Sequence, residues 1–243
     1  MAILKFFHSS MGMLAVALAC LLPASARAQA APTDMAPRVA ACTTCHGRDG
    51  QATNSGYFPR IAGKPAGYLY EQLRNFRDGR RQQPAMNHLL TNLSDDYLRE
   101  MADYFAALQY PYAPPPASDL SAEVLARGRA LVFDGDAARG LPACATCHGA
   151  ALTGVAPGIP GLLGLPRLYI ASQLGAWLTA ERRALAPDCM ADIGRRLQQA
   201  DIQAVAGWLS AQAMPAGAQP AAALPHALPQ PCSAQGTAVG AAR

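Results

Sequence analysis

The sequence predicts an all-α protein made of two tandem domains that are related by internal duplication. Three observations lead to this prediction. Apolar residues recur at helical spacing in several segments, no segment alternates as a β-strand does, and the same short motifs occur in both halves of the 243-residue chain. The predicted domains are residues 29–110 and 120–212, separated by a Pro-rich linker at 111–119 that cannot continue a helix.

Helices are predicted at equivalent places in the two halves. In the first half, Leu69, Leu73 and Phe76 lie on one face of a helix, and Ser94 is a suitable N-cap for the next. Gln198 replaces this serine in the second half, and we expect a weaker cap there. The predicted helices are residues 66–78, 94–108, 120–133, 167–180 and about 199–212.

The N-terminal residues 1–28 have the features of a cleavable signal peptide. Lys5 precedes an apolar stretch, and an Ala-x-Ala pattern ends at Ala28. An uncleaved membrane anchor is the alternative, although the apolar run ends at Pro23, short of the ~20 residues that a membrane span needs. Cys20 lies inside the apolar run, so lipidation is not expected. We predict cleavage after Ala28 and export to the periplasm.

The charge balance argues against a nucleic-acid-binding protein. The chain has 20 Lys and Arg against 16 Asp and Glu, a net charge of +4. Removal of residues 1–28, which hold two basic residues and no acid, lowers this surplus further. Nucleic-acid binders neutralise many phosphates and carry a basic stripe, which this sequence lacks.

Two copies of the pentapeptide C-x-x-C-H carry the predicted chemistry. This motif is the attachment signature of c-type haem, because two thiols on one helical turn can form thioethers with the porphyrin and the adjoining histidine can bind the iron. A four-Cys zinc site normally has ~15–20 residues between its pairs, far fewer than here, and a thioredoxin-like βαβ context is missing. We predict two covalent haem c groups, bound through Cys42, Cys45, Cys144 and Cys147, with His46 and His148 as iron ligands.

An alignment of the two halves extends the similarity beyond the pentapeptides. The motifs repeat at an offset of 102 residues, and the Tyr-x-x-x-Gln segments starting at Tyr68 and Tyr169 repeat at 101. Pro59 and Pro160 also correspond, and we expect each to offer its carbonyl to the preceding motif histidine. These matches indicate two copies of one haem domain.

The second iron ligand is predicted to be a methionine in each half. Met86 and Met190 correspond at an offset of 104, each in a loop-like stretch before the last helix of its half. His88 is the alternative in the first half, since imidazole also binds iron. The second half has no histidine at the matching place, and Met214 lies beyond its last helix.

The chain resembles the di-haem class I cytochromes c of the cytochrome c4 family from about residue 33 to 212. The resemblance rests on the paired motifs, Pro59–Gly63, Tyr68–Leu73, and Met86-Asn87 followed by Leu93-Ser94-Asp95. It implies two haem domains packed about a pseudo-twofold axis, and a periplasmic shuttle that is often associated with the membrane. The implied axial pairs are His46 with Met86 and His148 with Met190.

We therefore expect an electron carrier rather than an enzyme, one that passes electrons from a quinol-oxidising complex toward a terminal oxidase. The alternative is a cytochrome subunit of a periplasmic dehydrogenase complex. A third hypothesis, a di-haem enzyme such as a peroxidase or thiosulfate dehydrogenase, needs an open or unusually ligated iron. Cys189 beside Met190 is its only support in the sequence.

Three features depart from the family pattern or stay open. The Ala- and Pro-rich tail at 213–243 has a composition typical of disorder. Cys189 and Cys232 are predicted to form a disulfide that pins this tail beside the second methionine, with free or intermolecular thiols as the alternative. An arginine cluster is interpreted as a solvated face, with haem-propionate pairing or partner docking as the alternative. Its members are Arg74, Arg77, Arg80 and Arg81.

Overall fold

A computed structural model describes residues 34–53 and 55–233, which belong to one compact unit. The predicted signal peptide at 1–28 lies outside these residues, so export stays a prediction. None of the helices in the described part of the chain is long and apolar enough to cross a membrane.

The first half is built from helices around one apolar cluster. Val39, Leu98 and Phe105 lie at its centre and are almost completely buried. Ser94 caps the last helix as predicted, because its hydroxyl accepts a hydrogen bond from the Tyr97 amide at 3.2 Å. The helices are α1 (Met35–Arg38), α2 (Ala40–His46), α3 (Ala66–Arg77), α4 (Pro84–Leu90) and α5 (Asp95–Ala107).

The second half repeats this arrangement around its own cluster and adds a long N-terminal helix. Its helices are α6 (Ala122–Phe133), α7 (Cys144–His148), α8 (Arg167–Leu178), α9 (Cys189–Arg196) and α10 (Gln199–Ser210). Helices α6 and α10 pack closely, since a Cβ at Gly128 would lie 2.1 Å from the carbonyl oxygen of Ala204. Between α7 and α8, two short strands, β1 (Gly154–Val155) and β2 (Ile159–Pro160), pair antiparallel.

The mostly helical fold and all five predicted helices are confirmed, with ends that differ by at most two residues. The expected weak cap at α10 is wrong. The Asp201 carboxylate accepts a hydrogen bond from the Gln198 amide at 3.1 Å and also pairs with Arg127 and Arg139. A carboxylate in the first turn of the helix therefore supplies the cap that the serine supplies in α5.

The linker has no regular secondary structure and is anchored to the first half by one side chain. Arg60 donates hydrogen bonds to the carbonyls of Tyr110 and Pro111 at 2.6 and 3.1 Å, and its guanidinium stacks 3.9 Å from the ring centre of Tyr112. Both halves belong to one compact unit, so the boundaries at 110 and 120 stay predictions.

The expectation of a disordered tail is wrong for residues 213–233. Ala221 pairs with the backbone beside β1, donating to Gly154 at 2.9 Å and accepting from Ala156 at 2.8 Å. Cys189 and Cys232 form the predicted disulfide. Backbone pairing and this covalent link order a segment whose composition alone would favour disorder; residues 234–243 lie outside the described range.

Candidate functional site

Each C-x-x-C-H motif forms a short helix, α2 or α7, that ends at its histidine. The glycine that follows has a left-handed backbone, with φ of 77° at Gly47 and 83° at Gly149. A Cβ at Gly47 would lie 2.2 Å from the carbonyl oxygen of Ala52. The turn that leads the chain away from the histidine therefore needs glycine.

The two motif histidines are held in the same way. His46 Nδ1 lies 2.8 Å from the carbonyl oxygen of Pro59, and His148 Nδ1 lies 2.7 Å from that of Pro160, as expected from the alignment. Because a carbonyl oxygen only accepts, Nδ1 carries the proton and the Nε2 lone pair stays available for a metal. Burial lowers the pKa of both imidazoles, so both stay neutral near pH 7.

A cavity in the second half brings together all four predicted site residues: Cys144, Cys147, His148 and Met190. Burial raises the pKa of the Cys144 thiol to about 11, which marks this wall as poorly solvated. The remaining walls are almost entirely aliphatic. They include Leu131, Leu141, Ile159, Leu162, Ile170, Leu174, Ile193, Leu197, Val205 and Leu209.

In the first half, Cys42 and Met86 pack against the same apolar cluster. His46 is buried, with the ring of Phe58 edge-on at 6.3 Å between centroids. His88, the alternative ligand, is exposed on α4. The arrangement therefore favours Met86 over His88 as the second ligand.

The sequence predicted that Met86 and Met190 lie in loops, and this prediction is wrong. Both lie in the first turn of a helix, Met86 in α4 and Met190 in α9. Each helix starts at a side-chain cap: the Gln83 amide oxygen accepts from the Met86 amide at 2.9 Å, and the Asp188 carboxylate accepts from the Ala191 amide at 3.1 Å. A helix of seven or eight residues with such caps fixes the backbone from which each thioether projects.

The described residues contain no group of three or more His, Cys, Asp or Glu side chains that could hold a metal ion. The two cysteine pairs lie in different halves, Cys42 against the first cluster and Cys144 against the second. The four thiols therefore do not form one zinc site.

Four cations among the described residues are buried without a carboxylate partner in an ion pair. Arg60 binds the linker carbonyls, and the other three, Arg81, Arg182 and Lys64, are 7%, 6% and 6% exposed. Burial lowers the pKa of Lys64 to about 8. Buried cations need anions, and haem combines an apolar ring with two anionic propionates. Apolar walls, paired thiols and unpaired cations all fit haem.

Arg81 and Arg182 also form the contact between the halves. Arg81 donates to Tyr169 at 3.0 Å and to Gln173 at 2.5 Å, and Arg182 donates to Gln72 at 3.0 Å. The two arginines pair through their backbones as an isolated antiparallel bridge. Equivalent residues thus make reciprocal contacts, as expected for two copies packed about a pseudo-twofold axis.

The interpretation of the arginine cluster as a solvated face is wrong for Arg81. Its guanidinium is buried between the halves, while Arg74, Arg77 and Arg80 pair with carboxylates of their own half. Sequence reasoning missed this interface, although a signal existed. Arg81 and Arg182 obey the same 101-residue offset as the Tyr-x-x-x-Gln segments, and polar residues that repeat in both halves indicate a shared contact.

Comparison with known proteins finds cytochromes and an electron acceptor of a dehydrogenase. Residues 38–105 match the family model described as cytochrome C oxidase, cbb3-type, subunit III. The chain is 37% identical to a thiosulfate dehydrogenase electron acceptor of Thiomonas intermedia, over 75% of this chain and 85% of that protein. It is 35% identical to a cytochrome c4 of Pseudomonas aeruginosa, over 71% and 84%.

Two solved structures are similar to this fold. Reduced recombinant cytochrome c4 from Pseudomonas stutzeri has a TM-score of 0.63 and 28% identity, covering 72% of this chain and 94% of that one. Thiosulfate dehydrogenase (TsdBA) from Marichromatium purpuratum has a TM-score of 0.64 and 32% identity, covering 71% of this chain but only 36% of that one.

Proposed function

The chain belongs to the cytochrome c4 family of di-haem cytochromes c, and from this membership we propose that it carries single electrons in the periplasm from a dehydrogenase toward a terminal oxidase. It is an electron-transfer protein and not an enzyme. Two haem c groups, covalently bound at the two C-x-x-C-H motifs, supply one-electron exchange at iron.

The observation that carries the proposal is that His148 and Met190 line the same apolar cavity. We assign His148 and Met190 as the residues that would bind the iron of the second haem, and His46 and Met86 as those that would bind the first. With two protein donors, the iron would have no coordination position open to a substrate. The aliphatic walls exclude water, and a thioether ligand favours the reduced state. Such a site suits electron exchange with a partner protein.

The two buried arginines would hold the two haem sites in a fixed arrangement relative to each other. Arg81 and Arg182 each donate to neutral acceptors across the contact between the halves. Because a buried positive charge is costly without an anion, both guanidinium groups favour an anionic partner. We assign the haem propionates as these partners. The same guanidinium groups would then hold both haems near one interface, where an electron taken up by one half can pass to the other.

Relatives of this chain favour a dehydrogenase as the electron donor. Two of them, 37% and 36% identical, are named thiosulfate dehydrogenase electron acceptor. We therefore propose that this chain accepts electrons from a dehydrogenase of a reduced sulfur compound, thiosulfate being the first to test. The quinol-oxidising complex expected from the sequence is the second candidate donor.

Two features support export to the periplasm. Residues 1–28 have the pattern of a signal peptide. The Cys189–Cys232 disulfide supports this localisation, because disulfides form and persist in oxidising compartments. Peripheral association with the membrane surface, close to an oxidase, fits the same proposal.

A reconstitution experiment tests the proposal. Oxidised protein is mixed anaerobically with a thiosulfate dehydrogenase and thiosulfate, or with a quinol-oxidising complex and quinol, and haem reduction is followed by absorbance. Reduced protein is then mixed with oxidase-containing membranes, with and without an oxidase inhibitor. We expect fast reduction by the dehydrogenase and inhibitor-sensitive reoxidation. Reduction by the quinol-oxidising complex alone would select the second donor, and no reoxidation by active membranes would refute the shuttle.

A further inference from the structure

The tail crosses the second half from the strand pair to the methionine helix. At one end, Thr153 donates its hydroxyl hydrogen to the carbonyl of Gln219 at 3.0 Å, and Ala221 pairs with the backbone of Gly154 and Ala156. These contacts lie on the segment between His148 and Pro160. The tail is therefore fixed first on the histidine side of the cavity.

At its other end, the tail is fixed on the methionine side. Cys232 is disulfide-bonded to Cys189, the residue directly before Met190. Gln230 donates its side-chain amide to the carbonyl of Cys189 at 3.0 Å, and the Ser233 amide donates to the carbonyl of Pro187 at 2.9 Å. Three contacts thus converge on the start of α9.

Leu228 lies between these anchors, and together with Gln230 and Cys232 it lines the same cavity as His148 and Met190. We propose that residues 219–233, here called the strap, close the second haem cavity and position Met190 on the iron. The strap residues are positioning residues, since they act through α9 and through exclusion of water. The inference rests on the proposed assignment of Met190 as a ligand.

The disulfide is the part of the strap that hydrogen bonds alone could not replace. It joins residues 43 positions apart, so it removes most of the freedom that the tail would have in an open state. Without it, the strap would be held on the methionine side by two hydrogen bonds, and a single hydrogen bond contributes little net stability. We expect the mouth of the cavity to open more often and water to enter.

The first half provides an internal control. The residue aligned with Cys189 at the 104-residue offset is Ala85, and the described first half contains no cysteine outside its C-x-x-C-H motif. Met86 therefore keeps its position without a covalent anchor. A change at the strap should affect one haem and leave the other at its wild-type properties.

The test uses the full-length holoprotein with Cys189→Ala and Cys232→Ala combined, so that no free thiol stays beside the iron. Binding of imidazole to the ferric protein and the two midpoint potentials are measured. We expect one haem to bind imidazole about tenfold more tightly, the scale typical of lost support around a metal ligand. The potential of the same haem should fall, while the other haem keeps both wild-type values. Unchanged values at both haems, or equal changes at both, would overturn the strap.

A milder pair of variants separates closure from general damage to the fold. Leu228→Ala removes a cavity-lining side chain, whereas Leu224→Ala changes the same residue type in the strap outside that lining. Only Leu228→Ala should increase imidazole binding, and equal behaviour of both variants would count against closure. Met190→Leu tests the ligand assignment itself. If the thioether–iron absorption keeps its full intensity in Met190→Leu, the assignment fails, while the imidazole data still decide whether the strap closes the cavity.

Discussion

The two halves hold their histidines alike but surround their haem sites differently. His46 and His148 are both neutral, buried and hydrogen-bonded to a proline carbonyl, with distances that agree within 0.1 Å. Among residues 34–53 and 55–233, a disulfide-linked strap over a cavity and a carboxylate cap on the last helix occur only in the second half. Duplication has kept the contacts that orient the metal ligand and changed those that enclose it. The two haems should therefore share a ligand set and differ in solvent access.

The largest expected effect comes from removing one attachment site. Cys144→Ser with Cys147→Ser should abolish covalent haem in the second half and leave the first half loaded, because each pair forms its own thioethers. Intact mass should fall by one haem per chain. The matched variant, Cys42→Ser with Cys45→Ser, should lose the other haem, and loss of both haems in either variant would show that the halves do not load independently.

A second difference concerns the glycine after each motif. Gly47→Ala should destabilise the protein by about 3 kcal/mol, since a left-handed backbone is combined with a Cβ placed 2.2 Å from a carbonyl oxygen. Gly149→Ala has the same backbone strain but its nearest neighbour lies at 3.4 Å, and about 1 kcal/mol is expected. Guanidinium unfolding measures both, and equal losses would contradict the tighter turn in the first half.

The caps of α5 and α10 give a smaller contrast. Asp201→Asn should destabilise the second half by about 2 kcal/mol, because the carboxylate accepts hydrogen bonds from Arg127 and Arg139 as well as from the helix. Ser94→Ala in the first half should lose about 1 kcal/mol, the usual effect of removing a serine cap. The same unfolding assay would refute the contrast if Ser94→Ala had the larger effect.

The smallest effect is a difference in acid sensitivity. Burial would raise the pKa of Asp201, but the hydrogen bonds from Arg139, the Gln198 amide and Arg127 outweigh it and hold the pKa below its ordinary value. Stability from this group is therefore complete above the unfolded pKa of about 3.9 and is lost as the pH falls through the lower folded pKa. Between about pH 5 and about pH 3, wild type should lose more stability than Asp201→Asn. If the free energy of unfolding fell equally with pH in both proteins across that range, Asp201 would not contribute to the acid sensitivity.

The sequence predicted those parts of the molecule that depend on neighbouring residues. The motif helices, the five longer helices and the Ser94 cap all follow from spacing within one turn or a few turns. Helices α4 and α9 were missed because they are too short to show a clear apolar periodicity. They begin at side-chain caps from Gln83 and Asp188, which a search for apolar periodicity does not detect.

The features that were missed or wrongly interpreted depend on distant parts of the chain. Arg81 is buried only because the second half supplies Tyr169 and Gln173. The tail is ordered only because its backbone hydrogen-bonds to Gly154 and its cysteine forms a disulfide with Cys189. Composition describes what a segment does alone, so it predicted a solvated arginine and a disordered tail where long-range contacts decide otherwise.

The most direct test of the account compares Met86→Leu with Met190→Leu in the oxidised holoprotein, using the absorption band that marks a thioether–iron bond. Leucine keeps the size of the side chain but removes the sulfur donor. The account predicts that each variant loses half of the band and that the double variant loses all of it. A full-intensity band in either single variant would contradict two equivalent histidine–methionine sites.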